Sequence, residues 1–162
     1  MTDLLPLLDE FHRDKLSELL RHQAGARLVG QYDLNNTYQY IINREETQLA
    51  WIANAIVELG AAVADDVAEP ERRATGKGST VSNAIVEEDA RAAQAFVDRW
   101  RPRVEAMTNA RQRGMLRVVL GETLEQKRFF DQARAGQTDL LGRRGPHVGS
   151  RIGSVLSTRW IE

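Results

Sequence analysis

Four long segments of this chain repeat apolar residues at intervals of three and four, the spacing of one face of an α-helix. Each segment is about 25 residues long, which gives a helix of roughly 40 Å. The segments begin near Leu5, at Asp33, at Ser79 or Thr80, and at Thr108 or Asn109, and the last one ends at Gly136. The pattern predicts an all-α fold in which four amphipathic helices pack around a shared core.

The connections between the segments indicate how the helices are arranged. Short turns join the first helix to the second and the third to the fourth, whereas residues 65–80 form a polar linker without an apolar period. That linker spans about 55 Å when extended, enough to run the length of a bundle. We predict an antiparallel four-helix bundle over residues 1–136, built as two helical hairpins joined by a long crossover. Residues 137–162 are predicted to form an extended C-terminal tail.

Composition excludes several classes of function. The chain has no cysteine, which rules out disulfides, thiolate nucleophiles and cysteine-ligated clusters. Its 22 basic and 23 acidic residues give a net charge of −1, whereas duplex-binding proteins carry a basic surface. The sequence shows neither a signal-peptide pattern nor an apolar run long enough for a membrane span. We expect a soluble, cytoplasmic protein that binds neither nucleic acid nor a membrane.

One ionisable residue lies at the predicted centre of each apolar stripe. With a turn of about 100° per residue, these central residues are His12, Glu45, Asp89 and Glu122. The first two are 33 positions apart, as are the last two. Gln48 and Glu125 each follow the glutamate of their helix by three positions and stay within the stripe. We predict that all six side chains meet at one level of the core.

Carboxylates buried in an apolar layer must be protonated, ion-paired or bound to a cation. A pair of divalent ions would neutralise the layer economically. A buried ionic network is the alternative, because Lys15 falls near the stripe of the first helix and can pair with Glu45 or Glu122. A protonated His12 would add a second positive charge to that network. His22 has no partner at a useful spacing and is predicted to lie on the surface.

The pattern resembles the ferritin-like superfamily, whose bundles carry a carboxylate on two helices and Glu-x-x-His on the other two. The resemblance covers roughly residues 5–135. It implies two iron or manganese ions held by His12, Glu45, Gln48, Asp89, Glu122 and Glu125. This chain departs from the family pattern at three ligands, since His12 replaces a carboxylate and Gln48 and Glu125 replace histidines.

The resemblance implies oxidation chemistry on O₂ or peroxide, as in a ferroxidase-like di-metal oxidoreductase or an iron-handling protein. The second hypothesis is a non-catalytic four-helix scaffold with a buried ionic network in place of the metals. Such a scaffold would act through its surface or its C-terminal tail as a partner-binding module.

The C-terminal tail suggests one kind of partner. Residues 148–156, Val-Gly-Ser-Arg-Ile-Gly-Ser-Val-Leu, are similar to the Gly-Ser-hydrophobic docking peptides of encapsulin cargo proteins. The similarity implies docking to a shell protein, and the alternative is a tail that folds back onto its own bundle or a neighbour. We also expect a homo-oligomer, a dimer or larger, with Trp51 as either a surface aromatic or an interface residue.

Overall fold

The computed structural model of the protein describes residues 4–142. Over this range the chain forms four helices and no β-strand: α1 (Leu4–Ala26), α2 (Tyr32–Glu58), α3 (Ser79–Glu105) and α4 (Ala110–Arg134). The predicted all-α class is confirmed. The shell-docking sequence at 148–156 lies outside the described residues. None of these four helices is apolar over enough of its length to cross a membrane.

Local signals account for both ends of α4. Asn109 caps α4 as predicted, its side chain accepting a hydrogen bond of 2.9 Å from the backbone N–H of Gln112. Gly136 follows α4 with φ +90°, a conformation that favours glycine. The predicted cap of α2 is wrong. That helix begins after Gln31, and Asp33 lies in its first turn.

Ion pairs between helices define their directions. Arg103, near the end of α3, lies 2.7 Å from Glu10 near the start of α1. Arg21, near the end of α1, lies 3.1 Å from Glu88 near the start of α3. Helix α1 is therefore antiparallel to α3 as well as to α2, so α2 and α3 run in the same direction. The chain between them must return along the bundle, which confirms two hairpins joined by a long crossover.

The crossover, residues 59–78, is tied by surface ion pairs to α1 and to the residue that follows it. Arg13 lies 2.6 Å from Asp66, and Arg27 lies 2.8 Å from Glu69. Exposed pairs of this kind contribute little stability individually, so they guide the path of the segment more than they hold it.

A layer of polar side chains divides the core into two apolar clusters. One cluster surrounds Phe11, Phe96 and Trp100, and the other surrounds Tyr38 and Phe130. This layer includes the buried side chains of Lys15, His22, Glu45, Gln48 and Thr123. Buried polar side chains in an apolar interior are present, as the sequence predicted, but the six predicted residues do not meet at one level. Asp89 lies beside Arg21, nine residues from His12 along α1, whereas Trp100 further along α3 lies beside Asp14.

Two helices are rotated relative to the prediction. The centre of the buried face of α1 lies at Lys15, about 60° from His12. The centre of the buried face of α4 lies at Thr123, one residue and about 100° from Glu122. Val118, predicted to be in the core, is therefore 50% exposed. Helices α2 and α3 have the predicted rotation, with Glu45 and Asp89 fully buried.

Candidate functional site

Glu45 lies at the centre of the polar layer and is held by two cationic side chains from α1. The Lys15 ammonium is 3.0 Å from Glu45 Oε2, and both side chains have no exposed surface. His22 Nδ1 bonds the other carboxylate oxygen of Glu45. Lys15 also donates to the hydroxyl of Thr123 at 3.4 Å, which links α4 to the pair. The first helix thus supplies the charges that neutralise the carboxylate of the second.

These contacts change the pKa values of both titratable partners. Burial alone would raise the pKa of Glu45, but the charges and hydrogen bonds of His22 and Lys15 outweigh burial and lower it. Burial alone would lower the pKa of His22, but the charge and hydrogen bond of Glu45 outweigh burial and raise it. The structure therefore favours a carboxylate facing an imidazolium.

We expect the stability contributed by His22 to decline at alkaline pH. Because its pKa is raised by folding, the contribution is complete below the unfolded pKa of about 6.5 and is lost as the pH rises through the folded pKa. The difference in free energy of unfolding between wild type and His22→Gln should be largest near pH 6 and shrink at alkaline pH. Urea denaturation of both proteins at a series of pH values measures it.

Burial also lowers the pKa of His12, but His12 is present in both proteins. Its titration therefore cancels in the difference in free energy of unfolding between wild type and His22→Gln. Working above about pH 5 also keeps the contribution of Glu45 constant, since that contribution is lost only as the pH falls through its lowered pKa. A difference that grows as the pH rises would contradict the His22–Glu45 ion pair.

Asp89, the second fully buried carboxylate, is neutralised from the crossover. The guanidinium of Arg72 enters the core with its side chain only 4% exposed and lies 2.9 Å from Asp89 Oδ1. The hydroxyl of Tyr38 donates to Asp89 Oδ2 at 2.5 Å. Burial and the negative charge of Asp89 together raise the pKa of Tyr38, so the phenol remains protonated and able to donate.

A glycine in α1 makes room for this guanidinium. A Cβ atom built on Gly25 would lie 2.5 Å from Nη1 of Arg72. Arg72 also donates to the backbone carbonyl of Arg21 at 3.0 Å, so it joins the crossover to α1 and α3 at once. This side chain anchors the crossover in the core.

The other predicted ligands lie apart from these two carboxylates. Glu122 is at the edge of the bundle, 2.6 Å from Arg44, and accepts a hydrogen bond from the amide of Gln48. Glu125 is on the surface, 47% exposed and 3.6 Å from Arg128. The prediction that Glu125 belongs to the buried layer is wrong, because the rotation of α4 turns it outward.

His12 is buried, but no protein group bonds its Nδ1 atom among the described residues. Burial is the main cause that lowers its pKa, so the imidazole favours the neutral form. The protonated His12 of the predicted ionic network is therefore not supported, and His22 occupies that role. His22 was predicted on the surface and is 1% exposed, so that prediction is wrong.

The predicted ligand set does not fit a di-metal centre in this arrangement. An ion bound by Glu45 would have to displace the buried ammonium of Lys15 from its contact at 3.0 Å. The proposed second bridging carboxylate, Glu122, is taken by Arg44 and Gln48. Across residues 4–142, no three His, Asp or Glu side chains are grouped as a metal site requires. Whether the chain binds iron or manganese stays a prediction.

Comparison with known proteins adds no family assignment. No protein-family model, curated protein or solved structure matches this chain. The functional conclusion therefore depends on the geometry of the polar layer.

Proposed function

We propose that this chain is a non-catalytic four-helix scaffold whose buried carboxylates are neutralised by side-chain cations, and that it acts by binding a partner. The observation that carries this proposal is the ion pair between Lys15 and Glu45, 3.0 Å apart with neither side chain exposed. It occupies the place where the resemblance to ferritin-like proteins implies a metal ion.

The balance of buried charge supports the same conclusion. Two carboxylates of the described core are fully buried, those of Glu45 and Asp89. They contact three cationic side chains that are nearly or fully buried, Lys15, His22 and Arg72. Buried charges are tolerated when they are paired, and these three cations neutralise both carboxylates without an additional cation. Such a network favours one relative arrangement of the helices, as a scaffold needs.

A metal-binding, ferritin-like protein is the second candidate, and four buried atoms at or beside the predicted ligands favour it. Nδ1 of His12, Nε2 of His22, Oε1 of Gln48 and Oε2 of Glu45 have no hydrogen-bond partner among the described residues, although Oε2 of Glu45 lies 3.0 Å from the Lys15 ammonium. Buried polar atoms normally have one, so water or a bound ion near these atoms would satisfy them. Docking of residues 148–156 to a shell protein is compatible with either candidate and stays a prediction from the sequence similarity.

Elemental analysis and melting separate the two candidates. We expect protein loaded aerobically with ferrous iron or Mn²⁺ and then desalted to retain no stoichiometric metal. We also expect a chelator to leave the melting temperature unchanged, because only a ligand bound to the folded state raises it. The control is a Glu45→Ala/Glu122→Ala variant, whose metal content should equal that of wild type. About two ions per chain, lost in that variant, would contradict the proposal and support the second candidate.

A further inference from the structure

The outer face of α4 is exposed over much of its length. At about 100° per residue, Arg111, Gly114, Val118, Gly121 and Glu125 fall within a strip of roughly 80°. All five are exposed, including Val118 at the centre of the strip. We call these five residues the α4 outer strip.

The two glycines of the α4 outer strip are not explained by the packing of the bundle. Glycine within a helix is destabilising relative to alanine, because it loses more conformational freedom on folding. A Cβ atom at Gly114 or Gly121 would meet nothing within 4 Å. The part of the chain that the structure describes therefore leaves room for alanine at both positions, whereas the close approach of another backbone would require glycine.

The charged residues of the α4 outer strip are placed so that the strip can pair with an antiparallel copy of itself. Arg111 lies seven residues before Val118, and Glu125 lies seven residues after it. An antiparallel copy of α4 with its twofold axis at Val118 therefore places each Arg111 opposite Glu125 of the partner subunit. A twofold interface is self-complementary in this way. Among residues 4–142, these two residues form exposed ion pairs, to Glu58 at 3.3 Å and to Arg128 at 3.6 Å.

We propose that two copies of this chain associate through α4, antiparallel, with Val118 at the twofold axis. Gly114 and Gly121 allow the helices to approach closely on either side of the axis. Two reciprocal pairs between Arg111 and Glu125 flank the contact. The interface covers an exposed valine and does not depend on the chemistry proposed for the core.

Charge reversal with rescue tests this interface by sedimentation velocity on the full chain at micromolar concentrations. Glu125→Arg faces Arg111 of the partner with a like charge, and Arg111→Glu faces Glu125 likewise, so each should weaken the dimer about tenfold or more. The double variant Arg111→Glu/Glu125→Arg should restore it. The two positions are about 21 Å apart along one helix, so rescue cannot arise within a chain. Val57→Lys, on the exposed face of α2, is the control and should leave the dimer unchanged.

Disulfide trapping gives an independent readout, because the chain has no cysteine. Val118→Cys should oxidise to a covalent dimer, since a residue on the twofold axis meets its own copy within disulfide range. Val57→Cys should not. A monomer at all concentrations would overturn the proposal. So would a dimer that is insensitive to the single reversals, a failure of the double variant to recover, or equal cross-linking of the two cysteine variants.

Discussion

Replacing Lys15 with methionine is expected to lower the free energy of unfolding by about 3 kcal/mol, because the carboxylate of Glu45 then loses a buried ionic partner. Methionine preserves most of the length and apolar surface of lysine, so the loss reports on charge more than on packing. Chemical denaturation monitored by circular dichroism measures the change. The double variant Lys15→Met/Glu45→Gln should recover part of the loss, because the uncompensated charge is then absent.

The control for this prediction is the same substitution in an accessible ion pair. Lys127 lies 2.7 Å from Asp131, one helical turn further along α4, and both side chains are partly exposed. We expect Lys127→Met to change the free energy of unfolding by about 0.5 kcal/mol or less. Equal effects of Lys15→Met and Lys127→Met would show that the buried pair does not stabilise the core.

Replacing Arg72 with methionine is expected to produce the second large effect, a loss of about 2–3 kcal/mol. Asp89 would keep the Tyr38 hydroxyl and the more distant guanidinium of Arg21, at 3.5 Å, but would lose its closest cation. The crossover would also lose its anchor in the core. A protease specific for glutamate should therefore cleave the variant faster than wild type after Glu71, which lies beside the anchor.

The neighbouring residue supplies a matched control. Arg73 is 85% exposed and pairs only with the equally exposed Glu71 among the described contacts. Arg73→Met should leave both the free energy of unfolding and the rate of cleavage close to wild type. If Arg72→Met behaved like Arg73→Met, the crossover would be held by something other than the contact with Asp89.

Helices α2 and α3 could be oriented from sequence because their strongly apolar residues define a single stripe. Tyr38, Ile41 and Ile52 allow one rotation of α2, which buries Glu45. In α4, apolar residues occur on two overlapping stripes about 100° apart, one with Met115 and Val118 and the other with Leu116 and Val119. The structure buries the second stripe. The choice of the first one brought Glu122 and Glu125 into the predicted core.

The buried cations that pair with Glu45 and Asp89 were harder to predict, each for a different reason. Lys15 falls near the apolar stripe of α1, so its pairing with Glu45 was one of two open alternatives, and the structure contains that pair. His22 lies seven residues beyond Lys15, on the same face, and this spacing could have identified it. Arg72 has no comparable signal, because periodicity carries no information in an irregular segment. Its burial depends on the space left by Gly25 and on the charge of Asp89.

The most direct test of a core neutralised by its own side chains is anomalous diffraction from crystals of protein loaded aerobically with ferrous iron. The proposal predicts no anomalous density near Glu45, with the Lys15 ammonium close to the 3.0 Å seen here. Iron density bridging Glu45 and Glu122, with Lys15 displaced from the carboxylate, would contradict it.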